Sequence, residues 1–462
     1  MKSLESLRQI IGGVLRPSES LATESGVRPL GPVVIDSRQV TAGDVFWGLP
    51  GWRHDGAEFA EEAFARGAAG AIVTRSIPAP ADRWVLTVDD AEEALWQWAA
   101  WNRQQFSGTM IGVSGSVGKT TTCRMIHTIL GTRFRGTAGS RNCRGRLALP
   151  LSLTAIEADH DYAIVELDGT RPGELAALAD LVRPAIGTIT DVGEFHLGSF
   201  NSARECAESK AELAAALPGE GHAVLGDDPW LRRVAESSAP ITWVGFRPGC
   251  ELLAEDVDWR PGEMNFRVGG VAFRVPIWGR HHLTSALAAI AVARLVGIEV
   301  DESARALETY CTVPPRCDVL EVRGATIIAD SEDESLEAVC AALKMLRDFD
   351  APGRRIVVCG DLCDSDGDAI LLHRRLGEEV VTGSDADLLI ACGEHAWDVV
   401  GGARAAGMKP RHAIPCRVAE ETLPYLGQAV VPGDVVLVKG TRALAIERIV
   451  DALAHYPKRR TA

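Results

Sequence analysis

Lys119 and Thr120 follow three glycines in the stretch GVSGSVGKTTT, residues 112–122. Glycines let a backbone turn its N–H groups inward around phosphate oxygens, and a helix N-terminus adds positive potential. In such a loop Lys119 reaches the terminal phosphates and the Thr120 hydroxyl ligates Mg²⁺. The strict phosphate-loop pattern asks for glycine five residues before Gly118, where this chain has Val113. A glycine-rich turn with a chance Lys-Thr would look similar. The order favours a nucleotide site: an apolar run, TMIGV, then the turn, then a helix beginning near Lys119. Gly115, Ser116, Gly118, Lys119, Thr120 and Thr121 are its expected contacts.

The glycine spacing resembles the loop of the Mur ligase family, G-x-[ST]-G-[ST]-x-G-K-[ST]. The likeness runs along almost the whole chain. IDSRQVTAGDVFWGLPGWRHDGAEF is similar to the family's N-terminal domain, which holds the UDP end of the substrate, so Ser37 and Arg38 are implied contacts. Arginine suits bidentate phosphate recognition. YAIVELDGTRPGEL resembles the strand that ends in a metal-binding glutamate, here Glu166, and TDVGEFHLGSF the segment that brings His196 to a second metal. The lysine matching Lys210 in ARECAESKAELAAAL is carbamylated in the family, which turns an ammonium into an oxygen donor suited to Mg²⁺. Without the resemblance, Lys210 reads as an ordinary exposed helix lysine.

The resemblance implies ATP-driven amide formation through an acyl phosphate, with ATP and two Mg²⁺ ions. Lys119, Lys210 and His196 are the implied catalytic groups, and Thr120, Glu166, His196 and Lys210 the implied metal set. Arg316 in VPPRCDV and Asp330 fall at matching nucleotide-binding positions, and Asn142, Lys439 and Arg442 at substrate-binding ones. Three further segments resemble the branch of the family that adds D-alanyl-D-alanine to a UDP-linked muramoyl peptide: IVVCGDLCDSDGDAILLHRRLGEEV, GDVVLVKGTRALAIERIV and TAGSRNCRGRLALPLSL. The D-N-P-R and G-K-G-H-E signatures of the diaminopimelate-adding branch do not occur.

The chain also departs from the pattern. Ser140 and Cys143 replace asparagines, Asp191 follows Thr190 where asparagine is usual, and His282 and Ser285 replace both asparagines of the adenine-side segment. ADSEDESL (329–336) keeps Asp330 but lacks the family's Tyr-Asn-Ala-Asn-Pro. Two alternatives therefore stay open: a divergent ligase joining a different amino acid or dipeptide, and a catalytically silent binding or scaffold protein.

Alternating strand and helix patterns position these residues. They predict an α/β protein of three domains: a small α/β N-terminal domain (1–107), a central P-loop-type parallel-sheet domain (108–313) and a C-terminal Rossmann-like domain (314–462). In the family terms above, these hold the UDP substrate, ATP, and the amino acid or dipeptide. The helix 119–131 carries the phosphate loop. In DDAEEALWQWAAWNRQQF the tryptophans recur at helical spacing, which is a packing pattern rather than a ligand box.

A chain of 462 residues is too long for one core. With 46% hydrophobic and 24% charged residues it has the composition of a folded protein. Its net charge of −15 argues against nucleic-acid or anionic-membrane binding. The eleven cysteines form no C-x-x-C pair, which favours free thiols in a reducing compartment. The N-terminus reads as a short amphipathic helix rather than a signal peptide, and no stretch is apolar enough to span a bilayer. A cytoplasmic monomer is the expectation.

Overall fold

The helix Ala91–Gln105 illustrates how pattern becomes packing. Asp90 caps it by accepting from the N–H groups of Glu92 and Glu93, whose carboxylates suit the positive helix end. Its apolar stripe is buried at Ala94, Leu95 and Trp98. Trp101 stacks on Trp98 at a centroid distance of 4.6 Å, so both tryptophans pack as the spacing predicts. Asn102, on the same face, donates to the carbonyls of Leu153 at 2.6 Å and Ile156 at 3.0 Å, which satisfies its buried amide.

The computed structural model describes residues 2–17, 29–51, 54–139, 145–192, 200, 202–260, 262–277, 279–311, 318–330, 335–349, 351–362, 369–440 and 448–449. The chain divides into two compact units, Met1–Val113 with Arg133–Leu167 and Leu178–Ile186, and Ser114–Thr132 with Asp168–Ala177 and Gly187–Ala462.

The first unit contains a five-stranded sheet in the order Val14–Pro17, Trp84–Thr87, Gly70–Val73, Val45–Trp47, Val33–Val34. All its pairs are parallel except the first. Four of these strands lie in the short apolar runs PVVID, DVFWGL, AAGAIVT and RWVLTV. Val14–Pro17 was legible only as the tail of a helix pattern: the helix Leu4–Ile11 stops at Gly12, and the chain returns as an antiparallel edge strand. The same unit carries the parallel strands Gly136–Ala138, Tyr162–Glu166 and the start of Thr109–Ser114, with Val113 in register with Glu166.

In the second unit, His222–Gly226, Ile241–Gly245 and Leu252–Leu253 run parallel. The stretch GEMNFRVGGVAFRV forms the antiparallel pair Glu263–Val268 and Val271–Val275, which gains a third antiparallel strand, Glu255–Arg260. Farther along, six strands lie in the order Asp318–Val322, Ala325–Asp330, Val435–Lys439, Arg355–Cys359, Leu388–Cys392, Ala413–Cys416, parallel after the first pair. One face packs Leu343, Leu376 and Val399 from three helices, and the other packs Leu426 from a fourth. Helices on both faces explain why these strands are continuous apolar runs. The sequence pattern also suggests a helix over 442–455, of which only residues 448 and 449 are among those described.

Candidate functional site

The strand Thr109–Ser114 ends in the glycine-rich turn, and the helix Lys119–Leu130 begins directly after it. Gly115 has φ +132° and Gly118, the helix N-cap, has φ +85°. A Cβ at Gly115 would lie 2.0 Å from the Thr190 hydroxyl. The loop is braced from one side by the end of the strand Ile186–Ile189. The Thr190 N–H donates to Ser114 O at 3.0 Å, and its hydroxyl donates to Val117 O at 2.6 Å. Asp191 accepts from Ser116 N through its carbonyl at 3.0 Å and from Val117 N through Oδ1 at 3.3 Å. No side chain caps the helix at Gly118, and helix geometry gives its first-turn N–H groups no intrahelical acceptor. The result is an anion cradle at a helix N-terminus.

Lys119 starts this helix and curls over the loop. Its Nζ donates to Gly115 O at 2.9 Å and Ser116 O at 3.3 Å, and lies 3.4 Å from Asp168 Oδ1. Asp168 follows the strand Tyr162–Glu166 and meets a second cation: Lys210 Nζ is also 3.4 Å from Oδ1. Lys210 donates to Gly169 O at 2.8 Å.

Lys210 is on the inward stripe of the helix Ala203–Ala215, with Cys206, Ala207, Leu213 and Ala214, and only 2% of its side chain is exposed. It is not the exposed helix lysine that its segment, taken without the resemblance, would suggest. Its spacing places it among apolar neighbours, and a carboxylate and a carbonyl take its charge. Burial, reinforced by the Lys119 charge, lowers its pKa; the Asp168 carboxylate offsets part of that effect. Burial opposes ionisation of Asp168, but the Lys119 and Lys210 ammonium groups outweigh it and hold the carboxyl down to about 2. Because 59% of the Asp168 side chain is exposed, the two cations rather than loss of solvent decide its state.

The Mur ligase middle domain family matches residues 113–293, the Mur ligase glutamate ligase domain 315–442, and the Mur ligase family catalytic domain 32–100. A UDP-N-acetylmuramoyl-tripeptide–D-alanyl-D-alanine ligase of Synechocystis sp. is 30% identical, over 91% of this chain and 91% of that protein. The chain belongs to the Mur ligase family. The Bacillus subtilis protein of the same name is 29% identical, over 92% of this chain and 93% of its own length. A crystal structure of MurF ligase from Thermotoga maritima in complex with ADP is 28% identical, with a TM-score of 0.71, covering 92% of this chain and 97% of that one.

In this Mur ligase, Glu166 stands half-buried at the carboxyl end of its strand, opposite Val113. The oxygens of Thr120 and Glu166 are the hard donors Mg²⁺ takes, and no group of three His, Cys, Asp or Glu residues forms a ready metal cage among the described residues. Oxygen donors of this kind suit Mg²⁺, which ordinarily uses one or two carboxylates together with substrate phosphates.

Ser37 and Arg38 begin a 3₁₀ turn capped by Asp36. Arg38 makes a bidentate contact to Asp36, Nε to Oδ1 at 2.9 Å and Nη2 to Oδ2 at 2.8 Å, and its hydrogen bonds hold the Asp36 carboxyl down to about 2. Ser37 is buried and donates to Glu62 Oε2 at 2.6 Å. Asp330 and Lys439 are register partners at the carboxyl ends of adjacent strands, joined by a 3.1 Å ion pair. His196, Asn142, Arg316 and Arg442 lie outside the described residues.

Sequence reasoning missed Asp168. The only available signal was an Asp-Gly pair directly after a strand, which ordinarily marks a turn. It also missed the Thr190 brace, which makes glycine at 115 a steric requirement. Gly115→Ala is expected to cost about 1–3 kcal/mol through backbone strain alone, with the clash at Thr190 adding to it. Denaturant unfolding of the purified variant checks this; an unchanged midpoint would show that the loop adapts.

Proposed function

We propose that this chain joins D-alanyl-D-alanine to a UDP-N-acetylmuramoyl-tripeptide with cleavage of ATP to ADP, a step of peptidoglycan precursor synthesis. The observation that carries the reading is the phosphate cradle with Lys119 at its helix N-terminus, in a chain 28% identical to a MurF ligase crystallised with ADP.

A carboxylate oxygen of the tripeptide attacks the γ-phosphorus, the bond to the ADP oxygen breaks, and an acyl phosphate forms. The dipeptide amine then attacks the acyl carbon, the tetrahedral species collapses, and inorganic phosphate leaves. Little covalent chemistry falls to the protein, which acts by positioning and by offsetting charge. Lys119 meets the phosphates that Gly115, Ser116, Gly118, Thr120 and Thr121 cradle. Bound Mg²⁺ supplies electrostatic neutralisation of the crowded oxygens, with Thr120, Glu166, His196 and Lys210 as its holding residues. Burial favours the neutral Lys210 amine, which can add CO₂ with loss of a proton to give a carbamate oxygen donor.

In this reading residues 1–107 hold the UDP end through Ser37 and Arg38, with Asn142 in the next domain. Residues 108–313 hold ATP. Residues 314–462 bring Arg316, Asp330, Lys439 and Arg442 to the reaction on closure. The enzyme works in the cytoplasm as a monomer; among the described residues no helix is long and apolar enough to cross a membrane.

The altered stretch 329–336 keeps two second readings open, a catalytically silent binding protein and a ligase with a different amine donor. All three are tested with ATP, Mg²⁺, UDP-N-acetylmuramoyl-tripeptide and a panel of amino acids and dipeptides. Phosphate release coupled to a new amide, detected by mass, is expected with D-alanyl-D-alanine. Coupling to another amine redirects the donor assignment, and no release above a Lys119→Ala control overturns the ligase reading.

A further inference from the structure

Asp168 lies between two cations that are not alike. Lys210 is 2% exposed and fixed on the inward stripe of its helix, whereas Lys119 is 17% exposed and stands at the mouth of the cradle. Asp168 itself is 59% exposed. It is held by charge more than by packing. Its Oδ1 is an anionic oxygen 3.4 Å from the lysine that closes the phosphate loop.

We infer that Asp168 is a positioning residue that stands in for a phosphate oxygen at Lys119 in the nucleotide-free protein and must yield when a nucleotide binds. This rests on the nucleotide reading of the loop. Asp168 keeps Lys119 turned over the Gly115 and Ser116 carbonyls and, while Lys210 is unmodified, neutralises its buried charge. An incoming polyphosphate competes with it for Lys119 and meets its negative charge at short range. A divalent cation travelling with the nucleotide offsets that repulsion. Asp168 therefore lowers affinity for metal-free nucleotide and makes binding depend on the cation. Asp191 differs, because its carboxylate accepts a loop N–H, so replacing it would alter the loop itself.

The test is calorimetric titration of ADP into the full chain, wild type against Asp168→Asn, in EDTA and then in excess Mg²⁺. The variant is expected to bind ADP at least about fivefold tighter in EDTA, the lower end of ordinary coupling between sites, and the gain is expected to shrink with Mg²⁺. A merely structural role would weaken binding or leave it alone. Equal or weaker binding by the variant in EDTA overturns the inference while leaving the nucleotide site standing. Absence of ADP binding to wild type with Mg²⁺ overturns both. Asp168→Ser, which keeps an acceptor for Lys210, gives the same comparison if the asparagine variant does not fold.

Discussion

Lys119→Ala is expected to lower kcat for substrate-dependent phosphate release by about three orders of magnitude, the upper range for removing one preorganised electrostatic group. The fold should survive. Alanine is a better helix former than lysine, the N-cap is Gly118, and Asp168 keeps its contact with Lys210. What disappears is a cation already aimed across the loop, 2.9 Å from Gly115 O. Charge accumulates on the transferring phosphoryl oxygens and the ADP leaving oxygen, so the loss should fall more on kcat than on KM. Lys119→Arg should not restore the rate, because a planar guanidinium cannot occupy the volume of a compact ammonium. Steady-state kinetics with a melting curve for each variant check this. An alanine variant with near wild-type kcat would show that Lys119 does not meet the transferring group.

The phosphate loop and the strand–helix alternation were legible because both are local. A glycine-rich turn between an apolar run and an amphipathic helix announces its own geometry, and the structure places the helix at Lys119–Leu130 against an expected 119–131. Burial of charge was not legible. Lys210 lies on the inward stripe of its helix with Cys206 and Ala214, yet a lysine at such a position ordinarily reads as solvated until its counter-ion is known. That counter-ion, Asp168, sits in another segment, after a strand in a turn-like Asp-Gly pair. Pairings of this kind depend on which strand ends the topology gathers, and spacing along one element carries no trace of them. The edge strand Val14–Pro17 was hidden for a related reason, since only its partner Trp84–Thr87 makes it a strand.

Asp330 and Lys439 show the same dependence on topology, and their pair gives the second large expected effect. Lys439 is 1% exposed and Asp330 13%, with Nζ and Oδ2 3.1 Å apart at the carboxyl ends of neighbouring parallel strands. Removing one partner of a buried pair costs about 3–5 kcal/mol because a charge is left in a poorly solvating interior. Lys439→Met and Asp330→Asn should each lower the unfolding free energy by that much, read as a fall in the denaturant midpoint. The double variant, with neither charge, should recover most of the loss, since a neutral replacement of a buried pair is often close to neutral in stability. The recovery separates two roles. If the pair only holds the strand ends together, the double variant regains turnover with its stability. If Lys439 meets substrate on closure, as proposed, the double variant folds but stays slow, with kcat/KM for the tripeptide or the amine still reduced. A double variant with full stability and full turnover would remove Lys439 from the site and leave it a purely structural cation.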